Sequence, residues 1–154
     1  MNIDITTSAD VAGLKPILDK TELFPSEMLD EMISSFLTEE APDQIWLTCR
    51  DADGPVGFCF ARLEALTNGT WNMLALAVDP DRQGTGVGGA IVAELENRLS
   101  QKGARVLIAE TSGREDFALI WAFYAIQGFD CVSTIPQFWD VGDDKLTYHK
   151  ELGA

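Results

Sequence analysis

The stretch Ala77–Leu95, "AVDPDRQGTGVGGAIVAEL", decides how the rest of the chain is read. An apolar run ends at Val78, and an apolar-periodic segment starts at Val87. Gly84 and Gly86 stand between them, with Gly88 and Gly89 just beyond. That is the pattern of a strand passing through a glycine turn into a helix. Four glycines in six residues cost backbone entropy, so a turn without a ligand explains them poorly. The first turn of a helix leaves its N–H groups unpaired and partly positive. Glycines let a phosphate approach that backbone closely.

Working outward, the periodicities alternate between helix and strand. Asn2–Thr6 reads as a short strand, and Ser8 as the cap of a helix toward Lys20 that Pro16 should kink or shorten. Leu29, Met32, Ile33, Phe36 and Leu37 fall on one helical face. Strands follow at Ile45–Arg50 and Val56–Leu63 about a "DADGP" turn. Asn68-Gly69 is a hairpin signal before the strand Trp71–Val78. Val87, Ile91, Val92, Leu95 and Leu99 make a helix stripe stopped at Lys102-Gly103. "RVLIAE" is a buried strand. Asp116–Gln127 is a helix stopped by Gly128, with Phe117, Ile120, Trp121 and Tyr124 on one side. Asp130–Ile135 and Lys145–Leu152 are strands about a "GDD" turn. The order β-α-α-β-β-β-α-β-α-β-β predicts one α/β domain over residues 1–154, with helices flanking a mixed, mostly antiparallel sheet.

Composition narrows the function. The 154 residues, 46% hydrophobic, can bury a core without metal or disulfides. Cys49, Cys59 and Cys131 are odd in number and lack metal-ligand spacing, so no metal is expected. They read as reduced, mostly buried thiols of a cytoplasmic protein. "MNIDITTSAD" has no features of an export signal, and no apolar run suits a bilayer. With 25 acids against 11 bases, the net charge of −14 repels nucleic acid. The acids are scattered, as in a solubility feature; steering of a cationic substrate is the alternative. A phosphate site in this negative field must rely on the backbone.

Gly84–Gly89 also fits G-x-G-x-x-G, and Glu110 lies where a dinucleotide-binding fold would grip a ribose. Asp79–Gln83 separate the motif from its strand, however, and three strands precede it. The chain then ends in an antiparallel-looking hairpin instead of further βαβ units. A P-loop is excluded, because no Gly-Lys-Ser/Thr follows.

The sequence resembles the GNAT superfamily of acyl-CoA-dependent N-acyltransferases. Gln83-Gly84-Thr85-Gly86-Val87-Gly88 fits the Q/R-x-x-G-x-G/A signature, and "LAVDPDRQG" matches its approach. "AFYAIQGF", Ala122–Phe129, is similar to the family's F-Y-x-x-x-G-F segment, in order about forty residues on. "ETS" at Glu110–Ser112 and "GDD" at Gly142–Asp144 recur in some members. The likeness is strongest over residues 71–152. It implies an acyl-CoA-binding core at 71–128 and a variable, acceptor-side region at 1–70.

The resemblance implies acetyl-CoA as co-substrate and direct transfer to a primary amine of a small molecule or peptide. The strand ending at Val78 would splay from the one starting near Val106. The pantetheine arm would pair with main chain at Leu76, Ala77 and Val78. The diphosphate would rest on the amides of Gln83, Gly84, Thr85, Gly86, Val87 and Gly88. A main-chain N–H near Ala77 would stabilise the oxyanion. Tyr124 would protonate the departing thiolate, a phenol suiting a leaving group of comparable basicity.

The base is harder to place. "TWNMLALAV" has no carboxylate, and Asn72 can hold water but takes no proton. Glu110 is the best remaining carboxylate for general base; a hydrogen bond to backbone that orders the adjacent loop is its alternative. His149 reads as structural. Phe24, Met28, Met32 and Phe36 suggest a wall of the acceptor pocket, with Asn72 also facing the acceptor. The partners expected are acetyl-CoA and an amine, cationic amines included, with no nucleic acid or membrane and with room for a homodimer. A non-catalytic acyl-CoA sensor is the competing function.

Overall fold

The computed structural model describes residues 1–153. Its elements are β1 (Asn2–Ile5), α1 (Val11–Thr21), α2 (Leu29–Thr38), β2 (Gln44–Asp51), β3 (Gly54–Leu63), β4 (Thr70–Val78), α3 (Val87–Gln101), β5 (Val106–Ser112), α4 (Ala118–Ile126), β6 (Asp130–Asp140) and β7 (Asp143–Glu151). This is the order the periodicities predict. The fold is α/β, with a seven-stranded sheet in the order β1-β2-β3-β4-β5-β7-β6. The pairing of β4 with β5 is parallel, whereas β1–β2, β2–β3, β5–β7 and β6–β7 are antiparallel. The chain forms two compact bodies, one of Met1–Arg62 with Leu74–Arg98, the other of Leu63–Met73 with the residues from Leu99 onward. No helix among the described residues is long and apolar enough to cross a membrane.

In the first body, the apolar stripes of α1 and α2 bury Leu14, Ile17, Leu18, Leu29 and Ile33 against Trp46, Phe58, Phe60, Ala75 and Ala77. Trp46 stacks on Phe60 at 4.1 Å between ring centroids. Full burial of each large side chain contributes roughly 1.5–3 kcal/mol. That packing overrides Pro16, which lies inside α1 without ending it. Thr7, not Ser8, precedes the helical entry. Its N–H donates to Asp10 Oδ2 at 2.8 Å, and Arg50 Nε holds Asp10 Oδ1 at 2.7 Å.

In the second body, β5 and β7 pair along Val106–Ser112, and β7 then pairs with β6. Helix α4 ends in a hydrogen-bonded cap. Gly128, at φ 91°, donates to Ala125 O, and Phe129 N–H donates to Tyr124 O at 3.0 Å. The Phe129 ring packs on Tyr124 at 5.5 Å, the apolar contact that accompanies such a cap. The F-Y-x-x-x-G-F segment therefore has a folding role: its glycine reverses the chain and its last aromatic fixes the tyrosine. Helix α3 ends the same way, through Gly103 N–H to Ser100 O and Ala104 N–H to Leu99 O.

Several local expectations are corrected. Asn68-Gly69 is not a two-residue hairpin; β3 and β4 are separated by residues 64–69. The carbonyls of Asn68 and Gly69 instead accept from Arg105 Nε and the Arg105 and Val106 amides. Only Gly142 of "GDD" lies in the turn, because β6 runs on to Asp140 and pairs it with Asp143. The side chains of β6 are exposed throughout, so no apolar alternation betrays its second half. Ile120 is 40% exposed, outside the buried face expected of α4. Cys49 and Cys59 are buried, but Cys131 is exposed on β6.

Candidate active site

The glycine loop lies in the first body. Ala75 and Ala77 of β4 enter the core, leaving Leu76 and Val78 half-buried on the opposite face. Asp79 then caps a short 3-10 turn, Pro80–Arg82, by accepting from Asp81 N–H at 3.0 Å. Gly84 and Gly86 have φ of 78° and 91°, and a Cβ at either would meet nothing within 4 Å. They are required by backbone conformation, not by packing. Ala90 N–H donates to Gly86 O at 3.0 Å, so the amides of Gly86–Gly89 belong to the unpaired first turn of α3. Gln83 and Thr85 differ from the expected amide row, because their N–H groups donate to Pro80 O and Arg82 O. Lys20 bridges Asp79 and Asp81, and Arg82 pairs with Asp51. With those cations engaged, the loop's attraction for an anion comes from main-chain N–H groups.

Phe24 lines a pocket of about 280 Å³ with Leu18, Asp19, Glu22, Pro25, Ser26 and Glu27. Its ring, with Met32 and Phe36, also packs on the core cluster. Met28, expected beside them, is 47% exposed.

Tyr124, Glu110 and Asn72 lie in the second body. Tyr124 is buried beside Phe129 and Tyr148, its ring 5.2 Å from that of Tyr148. Burial, with a contribution from Tyr148, pushes its phenol up to about 12. The hydroxyl therefore keeps its proton across the ordinary pH range, as a weaker acid than the match in basicity expected from the sequence. Phe123 contacts the ring edge-on at 5.6 Å and is only half-buried.

Glu110 sits near the end of β5, one step before Thr111. Its Oε2 accepts from Lys145 Nζ at 2.6 Å, and its Oε1 accepts from Asn72 Nδ2 at 2.9 Å. Burial alone would raise this carboxyl, but Lys145 and Asn72 outweigh it and hold the group below the usual glutamate range. The carboxylate is thus held by two side chains, Lys145 and Asn72, and not by the backbone hydrogen bond that the sequence offered as the alternative to a general base. Asn72, expected to face the acceptor, is itself buried. It is 3% exposed, and its Nδ2 also donates to Glu64 Oε1 at 2.9 Å. Lys145 Nζ lies 4.0 Å from the centroid of the Phe138 ring.

Glu64, Lys145 and Phe138 were not singled out from the sequence. Glu64 follows β3 in a loop, and Lys145 sits beside the acidic "GDD". Only strand register brings them to Glu110, which pairs with Thr147 on β7. The histidine His149 pairs across the sheet with Ile108 and Asp130. Among the described residues no cluster of three His, Cys, Asp or Glu side chains is placed to hold a metal ion.

Comparison with known proteins adds to this geometry. The model of the "Acetyltransferase (GNAT) family" matches residues 14–129. A Desulfovibrio desulfuricans protein assigned to the GNAT family of acetyltransferases is 25% identical, with 99% of each chain covered and a TM-score of 0.91. An aminoglycoside 6'-N-acetyltransferase complexed with coenzyme A is 19% identical, with coverage of 100% of this chain and 98% of that one and a TM-score of 0.80. The ribosomal-protein-S18-alanine N-acetyltransferase of Escherichia coli is 17% identical, with coverage of 99% and 94% and a TM-score of 0.80. At that identity the last two show a shared fold alone. No curated protein sequence matches.

Proposed function

The chain belongs to the acetyltransferase (GNAT) family, and from that premise we propose that it transfers an acetyl group from acetyl-CoA directly to a primary amine of a small molecule or peptide. The observation that carries the reading is the loop before α3, where glycine geometry and an unpaired helical turn present amides to an anion. In this reading residues 1–154 act as one domain, with 71–128 as the acyl-CoA core and 1–70 on the acceptor side. The amides of Gly84 and Gly86–Gly88 hold the diphosphate, with Gln83 and Thr85 shaping the loop from within. Main chain at Leu76–Val78 positions the pantetheine arm, and an N–H near Ala77 supports the developing oxyanion.

Glu110 accepts a proton from the attacking ammonium. Its lowered pKa keeps it ionised, at the expense of basic strength. Tyr124 donates its proton to the departing thiolate. The phenol, raised by burial to about 12, remains protonated until that step requires otherwise. Phe24 and its acidic neighbours Asp19, Glu22 and Glu27 suit the approach of a cationic acceptor.

The free cysteines fit a reducing, cytoplasmic setting. The exposed apolar side chains Val132, Phe138 and Trp139 on the edge strand β6 fit a homodimer formed between two copies of that edge. Thiol release from acetyl-CoA across a panel of amines tests the function. Amine-dependent release is expected; tight acetyl-CoA binding without turnover on any amine would assign the sensor role instead.

A further inference from the structure

The Glu110 cluster holds more negative charge than proton transfer uses. Lys145 balances the Glu110 carboxylate at 2.6 Å. Glu64 approaches the other hydrogen of the same Asn72 amide, with both carboxylate oxygens 2.9 Å from Nδ2. Those oxygens therefore lie at most twice that distance apart. With one lysine and two glutamates, one negative charge is left over, on the Glu64 side.

A second observation concerns the other end of the amide. Asn72 is 3% exposed, and its Oδ1 has no hydrogen-bond partner. The amide cannot flip to satisfy it, because that would turn Oδ1 onto two carboxylate oxygens. A buried acceptor is left without a donor, which native structures seldom tolerate. The group that satisfies both features carries N–H donors and a positive charge. Lys145 is not that group, since it is committed to Glu110 and the Phe138 ring.

We propose that Glu64 and Asn72 Oδ1 form a subsite for a second cationic group on the acceptor, distinct from the nitrogen that is acetylated. This rests on the transferase reading above. The attacking nitrogen must be neutral when it reacts, so it cannot compensate Glu64 through the reaction. A second ammonium can, and it donates N–H to Oδ1. The substrate class is then a short diamine or a larger amine with two cations a few bonds apart. Glu64 is a specificity residue, and Glu110 remains the base.

The test compares 1,4-diaminobutane with butylamine, which lacks only the second ammonium. In the wild type, the diamine should have a kcat/KM about tenfold or more above that of butylamine, the scale of a charge-assisted hydrogen bond. In Glu64→Gln that ratio should collapse, with the loss carried by KM of the diamine. Glu64→Asp should restore part of it and guards against a folding defect in the first variant. Glu110→Gln should depress turnover on both amines and leave their ratio intact, so failure of the base and failure of the subsite are distinguishable. Calorimetry with both amines in the presence of coenzyme A gives the same comparison without turnover. Equal affinities, no binding of the diamine, or a preference that survives Glu64→Gln would overturn the subsite.

Discussion

The loop before α3 presents main-chain amides, whereas the Asn72 cluster is built of side chains drawn from β4, β5, β7 and the loop after β3. The first needs particular φ values and little chemistry at Cβ; the second needs particular atoms at hydrogen-bond distance. A backbone site tolerates loss of side-chain charge but not gain of a side chain. A side-chain site behaves in the opposite way. Substitutions should therefore fail differently in the two regions, affinity for acetyl-CoA reporting the loop and kcat reporting the cluster.

The largest effect is expected at Glu110. Glu110→Gln should lower kcat by ~10²–10⁴-fold, the usual scale for a lost general base, with acetyl-CoA affinity unchanged. The pH profile sharpens the point. Lys145 and Asn72 hold the Glu110 carboxyl below its usual range, so its acid limb lies at low pH in the wild type. Lys145→Met removes the strongest lowering influence and leaves burial, which raises the group. The acid limb should then move to higher pH. A limb that stays in place would detach it from Glu110.

Next comes Tyr124→Phe, which deletes one oxygen and keeps the ring contacts to Phe129 and Tyr148. Turnover should fall by ~10²-fold while acetyl-CoA affinity holds, as for an interaction made in the transition state. Wild-type kcat on a good acceptor would remove the phenol from the mechanism. In the loop, Gly86→Asp should weaken acetyl-CoA binding by about tenfold or more, since the lost anion contact involves charge-assisted hydrogen bonds. Its positive φ adds about 1 kcal/mol of strain, visible as a modest fall in Tm of a folded protein. Unchanged affinity in that folded variant would dissolve the contrast between the two regions.

The same contrast explains what could be read from the sequence. The element order was legible because α1, α2 and α3 carry apolar stripes and β2–β5 carry apolar runs. The loop was legible because glycine at φ 78° and 91° has few substitutes. Pro16 does not end α1 because the burial of Leu14, Ile17 and Leu18 outweighs its local penalty. Asn68-Gly69 misled because its carbonyls serve Arg105 and Val106 instead of a tight hairpin. Glu110 could be picked out as a lone carboxylate, but not its company. Glu110 and Lys145 are far in the chain from each other and from the Glu64–Asn72 pair, and no local pattern announces a lysine that crosses from β7 to pair with a β5 glutamate.

The cap on α4 has a dynamic consequence. Helix ends are where structures open most readily, yet here the last turn is tied back through Phe129 N–H to Tyr124 O. Fraying of that turn would release the backbone of the same residue whose phenol is assigned the proton. The Phe129 amide proton can exchange with solvent only when this bond opens. Its exchange rate in heavy water thus counts the moments when the residue proposed as proton donor is out of place. Warming or Gly128→Ala should speed that exchange, and turnover should decline in step before the molecule as a whole unfolds.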